Sequence, residues 1–103
     1  MDIARNDLVI ATAGREKGKL FLVVDVQKEY LLLADGKARR LQAPKRKKCK
    51  HARRAGAAPE AIAAKLRSTE IITDSELRKA LAACRGEHGN QDQEGSALWQ
   101  NPT

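Results

Sequence analysis

Between Pro44 and Arg54 the chain places seven cationic side chains and no acid: Lys45, Arg46, Lys47, Lys48, Lys50, Arg53 and Arg54, with His51 among them. The charge of that tract equals the net +7 of all 103 residues. Seven like charges in succession repel one another, and no fold requires them there. A polyanion neutralises them and releases its condensed counterions. No apolar face accompanies the tract, which separates it from a membrane-surface helix. Nucleic acid is the expected partner, and a solvated linker is the plain alternative.

A second cationic group surrounds a pair of glycines, in Gly14-Arg15-Glu16-Lys17-Gly18-Lys19. Glycine permits positive φ and lets a backbone approach a ligand closely. Arg15, Lys17 and Lys19 around it offer charges to phosphates. Taken alone, the segment reads equally well as a tight turn between two strands. Arg39 and Arg40 come shortly after Asp35-Gly36. On a regular strand they point to opposite faces, so one is placed for nucleic acid and the other for a solvated edge.

Other chemistry is sparse. Cys49, His51, Cys84 and His88 have the donor types of a zinc site. The Cys-x-His spacing is tighter than an ordinary zinc-finger pair, and Cys84 fits an apolar helix face, so no metal or other cofactor is expected. Cys49 reads as an incidental thiol of the tract, and His51 as an exposed or RNA-contacting imidazole. No carboxylate pair or nucleophile–base arrangement stands out, so the chain does not read as an enzyme. Trp99 stands in a polar tail, where a lone aromatic is ordinarily exposed; docking a partner or stacking on a base is the sharper alternative. With only three aromatic residues (Phe21, Tyr30, Trp99), a stacking platform for single strands is not expected. Recognition led by shape and phosphates is.

The elements that position these groups divide the chain in two. Residues 7–13, 20–26 and 29–34 are short apolar runs and predict strands. Asp35-Gly36 predicts a hairpin turn that returns residues 37–42 as a fourth strand. Short strands at this spacing suggest a meander curling into a small barrel. Pro44 ends the β region, and 44–58 reads as a basic connector. Beyond it the period becomes helical. Pro59 fits the first turn of a helix over 59–67 that carries Ile62 and Leu66 on one face. Thr73 and Glu76 spell a capping box, with Ile72 and Leu77 at the staple positions. Leu77, Ala80, Leu81 and Cys84 then form one apolar face, and Gly86 marks a helix end for 74–85. Residues 86–103 are polar, without periodicity, and read as disordered.

No apolar run approaches the roughly 20 residues of a membrane span. The start, Met1-Asp2-Ile3-Ala4-Arg5, lacks a signal-peptide pattern, so a soluble, reducing, cytoplasmic monomer without membrane contact is expected.

The stretch Asp7-x-Val9-x-Ala11-x-Ala13-Gly14-Arg15-Glu16-Lys17-Gly18-Lys19 resembles the KOW motif of ribosomal proteins and transcription elongation factors. One position departs: Phe21 stands where many members carry glycine. The order of motif, Asp-Gly turn, Arg39-Arg40-Leu41, Pro44-Lys45-Arg46-Lys47-Lys48 and a Thr-x-x-Glu-Leu-Arg-Lys-Ala-Leu helix is similar to a bacterial KOW-domain RNA-binding group. That group is related to a KOW-bearing large-subunit ribosomal protein of archaea and eukaryotes. The resemblance covers about residues 6–84. It implies an α+β fold: an SH3-like barrel over 1–43, then connector and two short helices over 59–85. It also implies binding to ribosomal RNA of the large subunit, beside neighbouring ribosomal proteins, without catalysis. Two other classes stay open, an adaptor on the transcription machinery and a DNA-binding nucleoid protein. An exposed Leu77–Leu81 face would favour the adaptor.

Overall fold

Leu8 and Val9 are consecutive, and both are apolar enough to need cover, so the first strand must be buried on both faces. A computed structural model, describing residues 3–68 and 70–88, shows how. β1 (Asp7–Ala11), β2 (Leu20–Gln27) and β3 (Tyr30–Ala34) form an antiparallel meander. Leu8, Leu20, Leu22 and Ala34 share one face, under Ile62, Ile72, Leu77, Ala80 and Leu81. Val9, Ala11, Phe21, Val23, Leu31 and Leu33 share the other. A bulge between Val23 and Asp25 adds one residue to β2, which is why Val26 rejoins the face of Phe21 and Val23.

The fourth strand is not residues 37–42. The Asp35 carboxylate accepts from the amides of Lys37 and Arg39, both at 2.9 Å. The amides of Asp35 and Gly36 donate to the Arg39 carbonyl, at 2.8 and 3.1 Å. The chain therefore closes on itself, and its polar groups are spent before a ladder can form. The basic tract takes the strand positions instead. β4 (Lys45–Lys48) pairs with β3, a 3-10 turn spans Cys49–His51, and β5 (Ala52–Ala57) pairs with β1. The tract is thus two edge strands rather than a connector, and the sheet extends to residue 57 rather than 43. Alternation resolves the repulsion that argued against order, because successive lysines leave on opposite faces.

The sheet order is β4-β3-β2-β1-β5, so consecutive strands β4 and β5 lie at opposite edges. In a flat sheet those edges are about 19 Å apart, whereas three residues of 3-10 turn advance about 6 Å. The sheet must curl. The turn holds both ends: the Cys49 amide donates to the Glu29 carbonyl at 2.7 Å, and the Thr12 amide donates to the His51 carbonyl at 2.9 Å. The second bond lies in the register of β1 with β5 and carries their pairing one residue past Ala11, where β1 ends, short of residue 13. The sheet nevertheless stays open, with no ladder between β4 and β5.

α1 (Glu60–Arg67) starts one residue later than expected, with Pro59 as its extended N-cap. α2 (Asp74–His88) runs through Gly86, where a stop was expected. A glycine inside a helix costs about 1 kcal/mol, which weakens a helix without ending it. The capping box is formed: the Thr73 amide donates to Glu76 Oε1 at 2.9 Å, and the Glu76 amide donates to Thr73 Oγ1 at 3.1 Å. Leu77 and Leu81 are 0% exposed against the sheet. No helix among the described residues is long and apolar enough to cross a membrane. The tail beyond residue 88, Trp99 included, lies outside the described residues.

Candidate nucleic-acid interface

The glycine loop between β1 and β2 is tied by its own backbone. The Gly18 amide donates to the Ala11 carbonyl at 2.8 Å, Lys17 to Gly14 at 3.2 Å, and Lys19 to Glu16 at 2.9 Å. Gly14 and Gly18 take φ of 81° and 89°, the left-handed region that glycine enters without a steric penalty. The amides of Ala13, Gly14, Arg15 and Glu16 have no acceptor among the described residues, which leaves four backbone donors in the loop. Arg15, Lys17 and Lys19 are exposed around it.

Glu16 is the exception in this cationic loop, and it is 7% exposed. Arg39 Nε meets its Oε2 at 2.6 Å. The acid therefore does not oppose a phosphate; it is spent on Arg39, which anchors the loop to the turn after β3. Arg40, its neighbour, is exposed. Neither arginine lies on a strand, so the expected division between opposite strand faces does not arise: Arg39 is half-buried and paired with Glu16, and Arg40 is exposed in the same loop.

β4 brings the tract to the loop. Lys45 and Lys47 register against Leu33 and Leu31, and Arg46 and Lys48 against Leu32 and Tyr30. Lys47 reaches Gly14: its Nζ lies 3.4 Å from where a glycine-to-alanine change would put a methyl group. Arg46 goes to the other face and lies over the Tyr30 ring, 3.8 Å from its centroid. Among the described residues no carboxylate lies within ion-pair distance of Lys45, Arg46, Lys47, Lys48, Lys50 or Arg53. Arg54 differs, since its Nε meets Asp7 Oδ2 at 3.0 Å. His51 is half-buried in the 3-10 turn.

Two features were not legible beforehand. Cys49 is core rather than an incidental thiol, buried with Val9, Phe21 and Leu31 and donating its Sγ–H toward the Lys28 carbonyl. Cys84 packs on the opposite face of the sheet, against the helix-covered cluster. The fold thus separates the two thiols that a shared zinc site would have to bring together. The second feature is Arg39–Glu16, which joins residues 23 positions apart and leaves no local signal in the sequence.

Compared with protein-family models and with curated proteins, the chain matches none.

Proposed function

We propose that the chain binds structured RNA, ribosomal RNA foremost, as a ribosomal or ribosome-associated protein without catalytic activity. The observation that carries this reading is the placement of the Lys47 ammonium beside Gly14. It joins the cationic tract to a loop with four backbone donors that have no acceptor among the described residues. Such a corner offers a phosphate both charge and N–H groups, the combination that backbone-led recognition uses. The residues of the loop are also those that resemble the KOW motif, and the curl of the sheet supports reading it as a small SH3-like barrel open along one seam. Tyr30 already has Arg46 over one ring face, which fits recognition by shape and phosphate rather than by base stacking. The adaptor reading loses its favouring observation, because the Leu77–Leu81 face is covered by the sheet.

The test is the salt dependence of binding to a structured ribosomal RNA fragment, with duplex DNA as competitor. Replacing Lys45, Arg46, Lys47 and Lys48 by Gln is expected to reduce the slope of log K against log salt by about 3–4. An unchanged slope refutes the anchoring role. Preference for duplex DNA over the RNA fragment favours a nucleoid protein instead.

A further inference from the structure

β4 sends its charges to two faces, and each face holds one cation in place. On the first, Lys47 is half-buried and drawn to the glycine loop. On the second, the Arg46 guanidinium lies on the Tyr30 ring. A cation already held by a loop or a ring loses less freedom on meeting a phosphate than a free side chain does. Lys45 flanks the first and Lys48 the second, and none of the four has a carboxylate partner among the described residues. β4 is also an edge strand, so no ladder occupies its outer side. Side chains on opposite faces of a strand stand away from each other. One phosphate backbone lying along one face therefore leaves the other face uncompensated.

We infer that β4 is a wedge between two RNA backbones, so that one protein molecule holds two RNA segments side by side. The inference rests on the RNA-binding reading above and adds its stoichiometry. One segment meets Lys45, Lys47 and the Gly14 loop. The other meets Arg46 and Lys48 beside Tyr30.

The experiment uses the full chain and two short RNA hairpins, one carrying a donor dye and the other an acceptor. Energy transfer is read alongside the mass of the complex by analytical ultracentrifugation. The expected result is one protein with two hairpins and energy transfer between them. The variants K45Q/K47Q and R46Q/K48Q are each expected to keep one hairpin, lose the transfer and lower the salt slope by about 2. Circular dichroism of both variants establishes that they fold. Saturation at one hairpin per protein overturns the wedge, as does a complex of two proteins with two hairpins. Energy transfer that survives in both variants overturns it as well. Binding of neither hairpin by the unaltered chain refutes the RNA reading itself.

Discussion

Gly36 is the residue on which the packing is least forgiving. It has φ of 80°, and an added Cβ would lie 2.3 Å from the Asp74 carbonyl oxygen and 3.0 Å from the Arg78 amide nitrogen. Its own carbonyl accepts from Arg78 Nη1 at 3.1 Å. Both obstacles are backbone, so neither can turn away. Gly36→Ala is expected to destabilise the fold by about 3 kcal/mol or more, which lowers the melting temperature by about 10 °C or more. Gly18→Ala meets nothing within 4 Å and is expected to cost about 1 kcal/mol, from its positive φ alone. Equal melting temperatures for the two variants contradict the packing described. Charge obeys the same distinction between spent and unspent groups. Arg39 and Arg54 already face Glu16 and Asp7, whereas Lys47 faces no acid among the described residues. Arg54→Gln is therefore expected to change the salt slope of the proposed RNA binding less than Lys47→Gln does. A larger effect at Arg54 reverses the assignment.

At the scale of elements, the N-terminus of α2 is a junction. The Asp74 carboxylate accepts from the Leu41 amide at 2.8 Å, while Thr73 and Glu76 cap the helix. Glu76 also receives Lys65 Nζ from α1. That hydrogen bond holds the Glu76 carboxyl below its ordinary pKa and raises that of Lys65. A lowered carboxyl pKa stabilises the fold above the unfolded value, and the effect is lost as the pH falls through the folded value. The raised lysine contributes below its unfolded pKa and fades as the pH rises through the folded one. The clasp between α1 and α2 is thus whole at neutral pH and loosens at both extremes. Thermal melts of Glu76→Gln are expected to show a smaller loss of stability between neutral pH and pH 3 than the unaltered chain. Thr73→Ala is expected to cost about 1 kcal/mol at neutral pH.

This junction also marks what the sequence could and could not convey. The capping box, the staple and the apolar face of α2 are local patterns, and each is formed as spelled. β1 to β3 follow their apolar runs to within two residues. β4 and β5 were illegible because their residues announce repulsion, while their pairing energy comes from partners far along the chain. Asp35-Gly36 misled for a related reason. The turn chemistry is present, but Asp35 and Asp74 use the following amides for a loop rather than for a hairpin. At the candidate site the glycine loop and the cationic tract were visible as separate segments. Their meeting at Gly14 and Lys47 depends on strand order, which no local pattern encodes.

For the whole molecule, the sheet edges define what can fold alone. A fragment ending at residue 43 lacks β4 and β5 and leaves β1 and β3 as open apolar edges. It also lacks Ile62, Ile72, Leu77 and Leu81, which cover Leu8, Leu20 and Leu22. Such a fragment is expected to be unfolded or aggregated, with no dispersed amide spectrum. A dispersed spectrum restores an autonomous domain over 1–43.

The pairing of β1 with β5 joins Asp7 to Ala57, nearly the full span of the sheet in sequence. During synthesis the first strand is made long before its outer partner leaves the ribosome. The β2–β3 hairpin is local and is expected to form early, and the β1–β5 pairing late, since distant pairings carry the larger loop-closure cost. The β5 part of the cationic tract is therefore expected to be assembled last, so that its charge is carried by an unpaired segment before it is carried by a surface. Refolding is expected to be limited by the pairing of β1 with β5. An anionic polymer present during refolding is expected to slow it, by competing with the sheet for the same residues.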